Sequence, residues 1–177
     1  MVLTRSQRIK KRKREEYIEN KINNELIDLA TNCGYNQYRI TQIVKNDGNS
    51  LFKSILIASN KYPSNMTLEF REEIADIFIQ FRYKKYLNKY NKTLEKVFKD
   101  YNYDELVKNI REPNNKLNIE INLLLEVISK FYQLNFIIIN SESTEPTEIN
   151  TYEYINILDI PLGYLNEDHY IPLEKIS

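Results

Sequence analysis

Apolar residues recur every three or four positions through most of this 177-residue chain, and one short run breaks the rhythm. That spacing is the period of a helix with one buried face, whereas an unbroken β-branched run suits a strand covered on both sides. The periodic segments are Tyr17, Ile18, Ile22, Leu26, Ile27, Leu29; then Leu51, Ile55, Ile57; then Phe70, Ile74, Ile77, Phe81; then Ile121, Leu124, Leu125, Ile128, Phe131. The exception, Phe136-Ile137-Ile138-Ile139, reads as a central strand. Thr4 is placed to cap the first helix and Gly34 to end it, and Thr67 to cap the third, with Glu69, Glu72 and Glu73 near its positive end. Shorter helices are expected near 83–90 and 93–110, before Pro113. Tyr38 to Val44, Tyr152 to Ile160 and His169 to Leu173 read as further strands, the last two joined through Pro161 and Gly163. Helices come early and strands late, without βαβ alternation. The expected class is therefore α+β, with helices on a small mixed sheet.

Composition removes several functions. One cysteine, Cys33, excludes an internal disulfide framework and a two-cysteine zinc site, and one histidine, His169, excludes a histidine cluster. No cofactor and no metal are expected. No apolar run approaches the length of a membrane span, and the N-terminus is basic without the apolar segment of a secretory signal. The expectation is a soluble intracellular protein, cytoplasmic or nuclear, with no membrane partner. Heavy use of Asn, Ile, Lys and Tyr fits an AT-rich genome, such as that of a large DNA virus or an intracellular microbe.

Charge is unevenly spread. Lys+Arg 25 balance Asp+Glu 25, yet Arg5, Arg8, Lys10, Lys11, Arg12, Lys13 and Arg14 precede the first acid; the remainder has 18 basic against 25 acidic groups, about −7. The Arg5–Arg14 block reads as a nuclear-import or polyanion contact, or as a solvated helix start.

Two features carry chemistry. Asp47-Gly48-Asn49-Ser50 is a tight turn that leads into a helix at Leu51, which sets Ser50 at a positive helix end whose N–H groups can receive an oxyanion. His169 opens a late strand after Asn166-Glu167-Asp168, where an imidazole can act as a general base. On these residues alone, Ser50 or Asn49 can equally be a simple cap, and His169 an exposed loop histidine.

Asp47-Gly48-Asn49-Ser50-Leu51-Phe52 resembles the nucleophile motif of the OTU (ovarian tumour) deubiquitinases, in which Asp-Gly-Asn-Cys-Leu-Phe is usual. His169-Tyr170 resembles the family's His-Tyr strand; Leu68 to Phe81 with Arg71, and Ile119 to Phe131 with the run after it, resemble its intervening elements. The resemblance implies a papain-like OTU fold, with a small, mostly antiparallel central sheet packed between helices. It divides the chain into a basic helical extension, 1–34, and an OTU-like catalytic domain, 35–177. It implies a thiol protease that removes ubiquitin, polyubiquitin or a ubiquitin-like modifier. Position 50 would be the nucleophile, His169 the general base, and Gly48 and Asn49 the oxyanion loop.

Two positions depart from the pattern. Serine stands where the family has cysteine, which implies a chain with little or no activity. The intact motif around it favours replacement of a cysteine over a natural ubiquitin-binding pseudo-enzyme. The residue two beyond the histidine, which in many relatives is an acid or amide orienting the ring, is Ile171. Asp47 is then the first candidate for that role, or else shapes the oxyanion loop; Asp168 and Asn166 come next.

Overall fold

A computed structural model describes residues 4–60, 63, 65–151, 153 and 157–177. The chain runs α1 (Arg5–Tyr35), β1 (Tyr38–Ile40), α2 (Ser50–Ser59), α3 (Thr67–Phe81), a 3-10 turn at Asn88–Tyr90, α4 (Leu94–Val97), α5 (Tyr103–Arg111), α6 (Ile121–Tyr132), β2 (Leu134–Asn140), β3 (Thr147–Ile149), β4 (Leu158–Leu165) and β5 (His169–Lys175). The strands form one sheet in the order β1-β5-β4-β2-β3. Only β2 and β4 run parallel, with Phe136 beside Ile160 and Ile138 beside Leu162. The other three ladders are antiparallel. The α+β class and the small, mostly antiparallel sheet between helices are as the sequence implies.

Side-chain alternation sorts the two faces of the sheet. Phe136, Ile138, Ile160, Leu162 and Tyr170 belong to the larger core, shared with α2, α3, α5 and α6. Ile139, Leu165, Ile171 and Leu173 face the other way and form a smaller core with Leu29 and Cys33 of α1. Burial raises the Cys33 thiol to about 11, so it stays protonated and serves as a small apolar residue. Gly163 lets α1 approach closely, since a Cβ there would lie 2.7 Å from Leu29 Cδ2.

Several elements differ from the sequence reading. Thr4 does cap α1, in a reciprocal box with Gln7, but Gly34 lies inside the helix and the left-handed residue is Gln37 (φ 62). The apolar stripe of α1 is largely uncovered: Tyr17, Ile18, Ile22 and Ile27 are exposed, and only Leu29 and Cys33 are buried. Periodicity reports a face; it does not guarantee something to cover it. β1 stops at Ile40 rather than Val44, because Pro172 opposite has no N–H to extend the ladder and only its carbonyl is used, by Thr41. Thr67 is helical, preceded by Met66, and of the three glutamates only Glu69 lies in the first turn of α3. Phe131 is exposed. The expected 93–110 helix is two shorter ones, α4 and α5. Pro161 and Gly163 lie within β4, and the link to β5 is instead the turn through Glu167 (φ 63) and Asp168 (φ 58). The expected strand at Tyr152 to Ile160 falls partly on 152 and 154–156, outside the described residues; β4 begins at Leu158.

Replacing Leu29 by Ala empties a deep contact between α1 and β4, and is expected to cost about 2–4 kcal/mol in urea unfolding. Tyr17→Ala, at a residue 70% exposed, should move stability by less than about 0.5 kcal/mol in the same measurement.

Candidate functional site

Ser50 is the first residue of α2, and the loop before it is held by its own polar groups. The Asp47 carboxylate accepts the Asn49 N–H at 3.0 Å, closing a small turn. Gly48 stands at φ +88, and a Cβ there would come within 2.6 Å of the Asn114 carbonyl carbon. The position demands glycine twice, for its backbone angle and for its closeness to a second loop. Asn49 Oδ1 accepts the Asn114 N–H at 3.0 Å, and its amide donates to Asn114 Oδ1 at 2.5 Å. Among the described residues no hydrogen bond occupies the N–H of Gly48 or of Ser50. Both remain available to an oxyanion.

The anchor of this loop is Arg71 of α3, fully buried. Its Nε donates to Ile110 O at 2.7 Å, Nη1 to Gly48 O at 3.1 Å and Asn49 Oδ1 at 2.7 Å, and Nη2 to Asn109 O at 2.8 Å and Asn115 O at 3.3 Å. The guanidinium also lies over the Phe52 ring at 4.6 Å. Asn109 and Ile110 end α5, where carbonyls lack helical partners and carry the negative end of the dipole. Burial draws the Arg71 pKa down to about 10 while Asp47 and Glu112 push it back up, so the group is a cation at neutral pH.

The Ser50 hydroxyl meets the edge of β5 that β1 leaves open. Its oxygen accepts the Tyr170 N–H at 3.2 Å and its proton goes to Asp168 O at 3.3 Å. One turn later Ser54 donates to Tyr170 O at 3.0 Å. Two hydroxyls of α2 thus complete the backbone bonding of residue 170.

His169 lies between the two backbone groups that Ser50 contacts, and it is 6% exposed. Its ring shares the sheet face of Ile171 and Leu173, and Nε2 lies 2.5 Å from Val44 O. A carbonyl can only accept, so Nε2 is the donor here, and no hydrogen bond to Nδ1 occurs among the described residues. The ring lines a cavity of about 350 Å³ with Asn46, Asn166 and Glu167, walled by Arg14, Tyr17, Ile18, Lys21, Ile22 and Glu25 of α1. Ser50 lines a separate, narrow groove with Gly48, Lys116, Leu117, Ile121 and Asp168.

The structure therefore brings Ser50, Gly48, Asn49 and His169 to one end of β5, with no hydrogen bond between the Ser50 hydroxyl and the imidazole. The Asp47 carboxylate bonds Asn49, Asn166 donates to Glu25, and the Asp168 carbonyl accepts from Ser50. Ile171 lies in the apolar cluster beside α1. Sequence reasoning missed the roles of Arg71, Ser54, Val44 and Asn114. A signal for Arg71 existed: it occupies the buried stripe of α3 with Ile74, Ala75 and Phe78, where a cation has to find acceptors. Among the described residues no group of three or more His, Cys, Asp or Glu is placed to hold a metal ion, and no helix is long and apolar enough to cross a membrane.

Comparison of the sequence with protein-family models gives no match, and comparison with curated proteins gives none. Solved structures do match. The OTU domain of OTUD1 superposes with a TM-score of 0.62 at 13% identity, over 85% of this chain and 95% of that one. The Hazara virus OTU bound to ubiquitin gives 0.56 at 11% identity, over 79% and 82%. An OTU deubiquitinase from Wolbachia pipientis bound to ubiquitin gives 0.51 at 12%, over 80% and 98%. The fold is that of the OTU domains.

Arg71→Lys retains a charge but cannot fork to five oxygens. The expected cost is about 2–4 kcal/mol in urea unfolding. Arg71→Met, which leaves all five acceptors without the cation, should cost no less, and either variant should increase hydrogen exchange at Asn49 and Asn114, whose N–H groups are bonded within this loop pair.

Proposed function

We propose that this chain is the scaffold of a thiol-dependent deubiquitinase of the OTU kind, with Ser50 filling its nucleophile position. The observation that carries the reading is the meeting, on an OTU fold, of the start of α2 and His169 at one end of β5. Two of the three structural neighbours described above hold ubiquitin, and ubiquitin or its chains are the partner assigned to this one. Residues 35–177 are read as the catalytic unit and 1–34 as its basic helical extension. A ubiquitin substrate places the protein in the cytoplasm or nucleus of a cell.

With cysteine at 50, the helix N-terminus would favour the thiolate and His169 would accept the thiol proton. The thiolate would attack the carbonyl that joins ubiquitin to its acceptor, and the N–H groups of Gly48 and residue 50 would hold the oxyanion. The protonated imidazole would then give its proton to the leaving amine, and water would release the acyl group. To do this a ring nitrogen must come within hydrogen-bond reach of position 50, a bond this structure does not contain. Asp47 supports the loop in this scheme through Asn49, without orienting the ring. With serine the first step is far slower, since a hydroxyl is a much poorer nucleophile than a thiolate and this one has no hydrogen bond to the imidazole.

A second reading rests on a different observation. Ser50 and Ser54 together bond residue 170, and the ring is bonded to Val44 O, so serine has a structural use where it stands. A natural ubiquitin-binding pseudo-enzyme would keep this arrangement.

Ser50→Cys, tested with a ubiquitin carrying a C-terminal electrophile, separates the two. Covalent capture that is lost on adding His169→Ala supports the deubiquitinase. Ubiquitin binding without capture, in folded protein, supports the pseudo-enzyme; neither binding nor capture removes both. The same substitution exchanges a hydroxyl for a weaker thiol partner on Tyr170, and should lower stability by about 1 kcal/mol.

A further inference from the structure

We infer that the first ten residues of α1 form a docking element for double-stranded nucleic acid, an interaction independent of how position 50 is read. Seven cations stand between Arg5 and Arg14 with no acid among them, on a helix whose residues from 4 to 24 are all exposed. At 100° per residue they surround the helix, leaving no sector wider than about 80° without a positive charge. That distribution selects the partner. A membrane surface requires charges on one side and an apolar stripe on the other, and in this stretch the large apolar residue is Ile9 alone. A major groove surrounds an inserted helix with phosphates on two walls, and its width of about 12 Å admits one helix.

The helix is also incomplete in energy without an anion. Its first turn contains no acidic residue, so cations crowd the positive end of the dipole. Lys10 and Arg14, and Lys11 and Arg14, repel at helical spacing, while Lys11 reaches Glu15 at 3.8 Å. Phosphates would relieve the repulsion and hold the first turns of the helix against fraying. The acidic remainder, about −7 by residue count, would keep the polyanion on α1 and away from the sheet.

The test uses the full chain and a short fluorescent DNA duplex, with salt varied from about 50 to 200 mM. If all seven cations engage phosphates, log K should fall against log salt with a slope of about −6. The variant Lys10→Gln, Lys11→Gln, Lys13→Gln, Arg14→Gln should bind more weakly and reduce that slope to about −3, so that over the same salt range its affinity falls by roughly two orders of magnitude less than the parent's. Thermal unfolding of the variant should match the parent, because the four side chains are exposed. Helix content by circular dichroism should rise when duplex is added to the parent and not when it is added to the variant. No duplex binding at the lower salt, binding unaffected by the substitutions, equal or tighter binding to phosphatidylserine vesicles, or capture by a nuclear-import receptor in place of duplex would each overturn the inference.

Discussion

The buried guanidinium of Arg71 is the constraint on which the site's geometry rests. It joins the loop before α2 to backbone far along the chain, at the end of α5 and at Asn115 just beyond it. Each would otherwise present buried oxygens without donors, a cost of about 1–3 kcal/mol apiece. Arginine alone can meet them together, because its planar fork fixes the directions of five N–H bonds. Gly48 then has no freedom left, held by its carbonyl from one side and pressed against Asn114 on the other. The start of α2 is therefore fixed by the fold itself, which is what the proposed oxyanion site would require of its N–H groups.

The same helix start is fastened to β5, and this second attachment explains where the imidazole points. Pro172 cuts short the β1 ladder, which leaves the edge at residue 170 for Ser50 and Ser54. Tyr170 faces the larger core, so alternation turns His169 to the α1 side, where Val44 O accepts a hydrogen bond from its Nε2–H. A hydroxyl at 50 strengthens this arrangement by bonding a backbone N–H. A thiol would bond it poorly and so loosen the attachment of α2 to β5 beside His169. The chemistry at 50 and the orientation of His169 are coupled through one strand edge.

The parts of this fold legible in the sequence were those with a local cause. Thr4 and Gln7 cap a helix by short-range bonds, the β-branched run makes β2, and Gly48 marks a turn that needs positive φ. The parts that were illegible depend on partners far along the chain. Arg71 bonds mostly to carbonyls, which every residue has, so nothing in positions 109–115 announces the contact. β3 is too short for a periodic signal and exists because β2 offers an edge. The stripe on α1 and the motif at 47–50 looked equally purposeful. Only the second is covered by the rest of the molecule.

That uncovered stripe has a consequence for the N-terminal half of α1. Its C-terminal turns are held by the sheet through Leu29 and Cys33, and its middle walls the His169 cavity. Arg5 to Lys13 are all exposed, so helicity there rests on local terms. The Thr4–Gln7 capping box favours the helix by about 1 kcal/mol. Against it stand the dipole and several like-charge pairs, each worth a few tenths of a kcal/mol. These nearly balance, and helix growth is cooperative from the anchored end. The charge state of the first turns, and whatever neutralises it, therefore decides how far α1 extends beyond the cavity it walls.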